Sequence, residues 1–148
     1  GNLLLNVGPA PDGSIPTPCV KTLRQVGRWL EQYGASIYDA TDYMRQEWQV
    51  TGAFTVKGNT AYYHCRYWPG SELAIGGLQM KVRAARIMNG PAVQFTQMPT
   101  RLLLSGLPEQ APDPLTTVIE LDCESKPHMI LGSGYELIAD DPHPANVF

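Results

Sequence analysis

The chain begins with an apolar run, Leu3, Leu4, Leu5 and Val7, that does not alternate with polar residues. A strand of this kind needs cover on both faces, as parallel strands between layers do. Gly8, Pro9, Pro11 and Gly13 interrupt the run, and Asp12-Gly13 is a turn dipeptide. A helix is then expected, with Thr17 as its cap and Pro18 at the first helical position. Val20, Leu23, Gly27 and Leu30 recur at helical spacing, Lys21, Arg24, Gln25, Arg28 and Glu31 fill much of the remaining surface, and Gly34 stands where a left-handed C-terminal cap is expected. Strand, loop and helix make one unit of an α/β fold. Nothing downstream repeats it, so the mates of the leucines are not found in this sequence, and the chain reads as the tail of something longer.

From Phe54 onward the period changes to two. AFTV (53–56), NTAYYHCRYW (59–68), ELAI (72–75), MKVRAARIM (80–88), AVQFTQ (92–97), RLLLSGL (101–107) and LTTVIELDC (115–123) are short β segments separated by Gly, Pro and Asn. Six or seven such strands predict a small antiparallel two-sheet β-sandwich, so the fold class is mainly β, preceded by one strand and one helix. IYDATDYMRQEWQVTG (37–52) is polar without clean periodicity and reads as a connector anchored by Tyr43, Met44 and Trp48. LPEQAPDP (107–114) is stiffened by three prolines, and the residues from 125 on, rich in Gly and Pro, read as a tail.

Composition narrows the function. The net charge of −3 is spread without a basic face, so neither nucleic acid nor another polyanion is an expected partner, and no segment has the length of a membrane span. Cys19, Cys65 and Cys123 give neither a disulfide framework nor metal-ligand spacing and read as small buried hydrophobes. His64, His128 and His143 lack metal spacing too; His64 is expected on a strand face with a hydrogen bond. No metal or cofactor is expected. No serine lies in a nucleophile elbow. Glu120 and Asp122 share a strand face, which a solvated sheet explains more simply than an acid pair. Tyr62, Tyr67, Trp68 and Trp48 have the chemistry to stack on sugar rings or simply to pack.

GNLLLNVGPAPDGSIP followed by VKTLRQVGRWLEQYGASIY resembles the end of the catalytic barrel of the α-L-fucosidases of glycoside hydrolase family 29. GAFTVKGNTAYYHCRYWPG, LQMKVRAARIM and LPEQAPDPLTTVIEL resemble that family's C-terminal β-sandwich, in the same order. The resemblance implies that residues 1–38 are the last strand and helix of a (β/α) barrel, 39–52 a connector, 53–124 the sandwich and 125–148 an extended tail. It implies retaining hydrolysis of terminal α-L-fucosides by two carboxyl groups. Both lie upstream of GNLLLN in the family, so no catalytic residue is expected in this chain. The barrel would then be its missing partner and a fucosylated glycan the substrate of the parent enzyme, outside the cytosol by family habit. Asn6 and the backbone at Gly8 and Pro9 fall where they can line the floor of the sugar pocket. Asp12 can approach a substrate from the end of a barrel strand, or simply accept backbone amides in its turn. The alternative is a free-standing carbohydrate-binding or interaction sandwich without catalysis.

Overall fold

The computed structural model describes residues 5–42, 44 and 51–129. Contacts divide the chain into two units, Gly1–Ala35 and Ser36–Phe148.

The first unit holds a loop and helix α1 (Thr17–Tyr33). The helix starts one residue earlier than its sequence suggests. Pro16 is the N-cap, with an extended ψ of 135° and no side-chain cap, and its carbonyl already accepts the amide of Val20, so Thr17 becomes the first helical residue. Gly34 is not a left-handed cap either. It stays right-handed (φ −58°), its amide bonds to the carbonyl of Leu30, and the chain tightens into a 3-10 turn, Gly34–Ser36. The left-handed residue comes later, at Asp39 (φ 59°). Asp tolerates that region better than most side chains.

Residues 5–10 form no regular element, and Leu5 is 60% exposed. The expected strand is therefore not realised at Leu5 to Val7; Leu3 and Leu4 lie outside the described residues. A strand is stabilised by its ladder partners, and residues 5–7 pair with no strand among the described residues.

The second unit is a sandwich of seven strands: β1 (Gly52–Lys57), β2 (Thr60–Cys65), β3 (Glu72–Gly76), β4 (Val82–Ile87), β5 (Gln94–Gln97), β6 (Arg101–Ser105) and β7 (Thr117–Cys123). One sheet has the order β1-β2-β7-β4 and the other β3-β6-β5, and every pair is antiparallel. Gly58, at φ 58°, opens the two-residue turn that sets Lys57 opposite Thr60. The period of two works as the sequence demands. Phe54, Val56, Ala61, Tyr63, Ile119 and Leu121 of the first sheet point inward to meet Leu73, Ile75, Leu102 and Leu104 of the second, all at most 4% exposed. Thr55, Tyr62, Glu120 and Arg86 line up across the opposite, outer face of the four-stranded sheet.

The sandwich recruits residues on both sides of its strands. Thr41 and Asp42 exchange backbone hydrogen bonds with Val56 on the free edge of β1, and Met44, one of the expected anchors, is 8% exposed within the core. Tyr43 and Trp48 lie outside the described residues. At the other end Pro127 is fully buried and Met129 bridges Leu78. No helix among the described residues is long and apolar enough to cross a membrane.

Candidate functional site

The residues singled out by the sequence, Asn6, Gly8, Pro9 and Asp12, all sit on the exposed loop ahead of α1. Its geometry centres on Asp12. One carboxylate oxygen accepts the Ser14 amide at 3.0 Å and the Ser14 hydroxyl at 2.7 Å, while Gly13 (φ 82°) turns the chain so that its amide reaches the Ala10 carbonyl. Both Ser14 bonds, the hydroxyl first, hold the Asp12 carboxyl below its usual range. Such a group stays an anion near neutrality and has no proton to give a leaving oxygen. What the structure shows at Asp12 is the turn role. Asn6, Gly8 and Pro9 are exposed on the same loop.

The two carboxylates that share a face of β7 are held by arginines. Glu120 receives a forked pair of bonds from Arg86 (2.8–3.0 Å), and Asp122 receives one from Arg83 at 2.7 Å. These are cross-strand ion pairs on a solvated sheet face, worth up to about 1 kcal/mol each. Tyr62, set between Glu120 and Thr55 in the register, has its phenol pushed up by burial and then by the Glu120 charge.

A cleft of about 520 Å³ opens where the approach to β4 faces the end of β5, lined by Leu78, Met80, Val82, Phe95, Gln97, Met98 and neighbours. Gln97 spans it, donating to the Met80 carbonyl at 2.7 Å and accepting from the Val82 amide at 2.9 Å. That clamp ends β4 pairing short of Met80, and no sequence period announces it. The lining contains no Asp, Glu, His or Cys, and its one charged side chain, Lys81, is ion-paired with Glu124 at 3.1 Å.

The aromatic residues separate. Trp68 packs against the core and donates its indole N–H to the Pro108 carbonyl at 2.7 Å, whereas Tyr67 is 65% exposed. Leu115, 49% exposed, lies opposite Tyr67 if the pairing of Cys65 with Thr117 is continued outward. Trp48 lies outside the described residues. Of the histidines, His64 is buried, at 8% exposure, and its Nε2 lies 2.9 Å from the Thr55 hydroxyl, as a strand-face histidine with a hydrogen bond should. Burial lowers its pKa to about 4. The Thr55 hydroxyl in turn donates to the Ser36 carbonyl. This chain joins three elements and left no signal in the sequence.

Cys65 and Cys123 are buried and Cys19 is half-buried; all three are free thiols. Burial pushes the Cys65 thiol up, and burial followed by the Asp122 charge pushes Cys123 up to about 11. Since the thiolate is the reactive form, a disulfide-exchange reagent at pH 8 is expected to titrate Cys19 quickly in the folded protein, and the other two at least about 10-fold more slowly until denaturant is added. Equal rates for all three would contradict the buried placement.

The family model described as α-L-fucosidase matches residues 1–35. The chain is similar to the tissue α-L-fucosidase of Macaca fascicularis, with 31% identity over 120 residues covering 76% of this chain and 25% of that protein. In structure it is similar to α-L-fucosidase isoenzyme 1 from Paenibacillus thiaminolyticus, with a TM-score of 0.71 and 34% identity over 84% of this chain and 31% of that one. It is also similar to the α-fucosidase of Thermotoga maritima solved in complex with fucose, at a TM-score of 0.63 and 25% identity over 82% of this chain and 30% of that one. The chain thus spans between a quarter and a third of the length of these proteins.

Proposed function

The chain belongs to the α-L-fucosidase family, and from that premise we propose that it is the C-terminal part of a retaining α-L-fucosidase, accessory to the chemistry rather than its seat. The observation that carries the reading is the joint match. One similarity to the Paenibacillus enzyme covers 84% of this chain, and the family model falls on the loop and helix at its start.

On this reading residues 1–38 supply the last strand and helix of the catalytic barrel, 39–52 connect, 53–124 form the accessory sandwich and 125–148 its tail. The substrate of the whole enzyme is a glycan ending in α-L-fucose. Retaining hydrolysis uses one carboxylate to attack the anomeric carbon and a second carboxyl group, about 5 Å away, to protonate the leaving oxygen and then activate water. The ion-paired Glu120 and Asp122 and the turn-bound Asp12 are unsuited to either task. Asn6, the backbone at Gly8 and Pro9, and the Asp12 turn would contribute only to the floor of the fucose pocket. The enzyme would meet its glycans outside the cytosol.

A second reading, a free-standing carbohydrate-binding sandwich, draws on the exposed side chains of Tyr67 and Leu115. Titration of the chain with fucosylated oligosaccharides, followed by calorimetry or by the Tyr67 ring signals, distinguishes the two. A flat titration to millimolar sugar is expected for the accessory part. A saturable response lost in Tyr67→Ala would favour the module.

A further inference from the structure

The loop between β4 and β5 carries Asn89-Gly90, and no other asparagine of this chain is followed by glycine. Both residues are exposed, while Ile87 and Met88 before them are buried. The loop closes tightly. The Gly90 amide donates to the Ile87 carbonyl at 2.8 Å, the Ile87 amide donates to the Pro91 carbonyl at 3.0 Å, and the Met88 amide ties the loop to the Val118 carbonyl of β7 at 2.8 Å. Asn89, the third residue of the turn, is left-handed at φ 60°, a conformation that asparagine tolerates better than most side chains. Glycine at position 90 spares a crowded approach to Ile87, since a Cβ there would lie 3.2 Å from Cγ2 and 3.4 Å from the carbonyl oxygen of that residue. The backbone thus selects each residue for its shape and sets side by side two groups that can react.

The reaction is an attack of the main chain on the side chain. The Gly90 nitrogen, after losing its proton to base, bonds to the Asn89 side-chain carbonyl carbon Cγ; the C–N bond of the side-chain amide breaks, and ammonia leaves with a proton taken from water. Water then opens the five-membered succinimide at either carbonyl. One opening leaves an aspartyl residue, and the other reroutes the main chain through the side chain as isoaspartyl. Glycine favours the first step because it has no Cβ to crowd the attacking nitrogen. Ring closure needs the Gly90 nitrogen eclipsed with the Asn89 Cβ about the Cα–C bond. In the left-handed region, where ψ is about +30 to +60°, that nitrogen stands nearly opposite Cβ instead. Its proton is also held by the Ile87 carbonyl. The closed loop therefore opposes the reaction through a torsion and through a hydrogen bond, and turning into the reactive torsion breaks that bond and opens the loop.

We propose that Asn89 is a deamidation site gated by the loop between β4 and β5: the folded sandwich preserves the amide, and each opening of the loop exposes it to a one-way conversion. The isoaspartyl product carries one more main-chain carbon between residue 89 and Gly90. The Gly90 amide then no longer meets the Ile87 carbonyl, and Val93 is displaced from the Ala85 carbonyl that its amide bonds at 2.9 Å. The site records the time the sandwich has spent open. This chemistry goes beyond the proposed place of the chain in a fucosidase and stands without it.

Peptide mass mapping of the whole chain, kept at neutral pH in buffer, in sub-denaturing urea and in denaturing urea, reads the conversion at residue 89. In denaturing urea residue 89 is expected to convert ahead of Asn2, Asn6, Asn59 and Asn146, which precede Leu, Val, Thr and Val. Gly90→Ala should slow it there, a comparison that needs no folding. In buffer the conversion is expected to be at least about 10-fold slower than in denaturing urea, and across the sub-denaturing series to rise in step with hydrogen exchange at the Gly90 amide. Chains carrying isoaspartate, returned to buffer, should exchange the Val93 amide at least about 10-fold faster than unconverted chains. Equal conversion in buffer and denaturing urea, or a rate that does not follow Gly90 exchange, would overturn the gate. Another asparagine converting first in denaturing urea, or no slowing in Gly90→Ala, would overturn the site. A Val93 amide as protected in isoaspartyl chains as in unconverted ones would overturn the one-way step.

Discussion

Replacing Tyr63 by alanine is expected to destabilise the sandwich by about 4 kcal/mol, the range found when a large buried aromatic ring is removed. Tyr63 has no exposed surface, and its ring lies 4.9 Å from that of Phe54, centre to centre, at a tilt of 54°. Its hydroxyl shares a 2.6 Å hydrogen bond with that of Thr51. The ring also explains why residue 52 is a glycine, since a Cβ there would sit 2.5 Å from Tyr63 Cζ and 2.6 Å from the His64 carbonyl oxygen. Backbone cannot step aside as a flexible side chain can, so the space freed in Tyr63→Ala is walled by β1 and collapses poorly. Tyr63→Phe keeps the ring and removes only the hydroxyl, and about 1 kcal/mol is expected. Tyr67→Ala, on the same strand line but 65% exposed, should change stability by no more than about 0.5 kcal/mol. Urea denaturation followed by sandwich NMR signals measures all three. A loss below about 2 kcal/mol in Tyr63→Ala would contradict the core placement.

Much of this core was legible because burial writes a period of two into each strand. Tyr63 and Cys65 alternate with Tyr62 and His64, and each of the seven expected segments contains a strand. Ends were less legible where a long-range group intervenes. The second segment reads as 59–68, but the ladder stops at Cys65, whose thiol bonds the Tyr67 carbonyl. The fourth reads as 80–88, but Gln97 takes the Met80 carbonyl and the Val82 amide. The insertion of β7 between β2 and β4 is a tertiary choice with no local signature. Thr17 has the chemistry of a cap in the sequence, but the Pro16 carbonyl takes the Val20 amide and places Thr17 inside the helix.

The candidate site divides along the same line. The Asp12 turn follows from three neighbouring residues and could be read directly, as could the solvated face carrying Glu120 and Asp122. Arg83 and Arg86 as their partners required the β4–β7 register. The His64–Thr55–Ser36 chain required three elements to meet, which no spacing in the sequence encodes.

The largest expected effect on activity is its complete absence from this chain. Glycoside hydrolysis by this route needs two carboxyl groups facing one sugar, one of them protonated. Among the described residues Asp12 is bound in its turn, Asp113 accepts the amides of Leu115 and Thr116, Asp39, Asp42, Glu120, Asp122 and Glu124 each face a lysine or arginine, and Glu31, Glu72 and Glu109 are exposed. The cleft beside β4 and β5 has no carboxylate at all. On the proposed reading the chain by itself lacks that pair and is expected to forfeit the whole enzymatic acceleration, at least about 10⁶-fold.

Release of the aryl group from an aryl α-L-fucoside by the purified 148-residue chain is therefore the measurement that bears most directly on the account. The predicted rate equals that of buffer at any protein concentration. Turnover above buffer that scales with the chain and disappears in Glu120→Gln or Asp12→Asn would contradict it, by placing the catalytic carboxylates in the segment described as accessory.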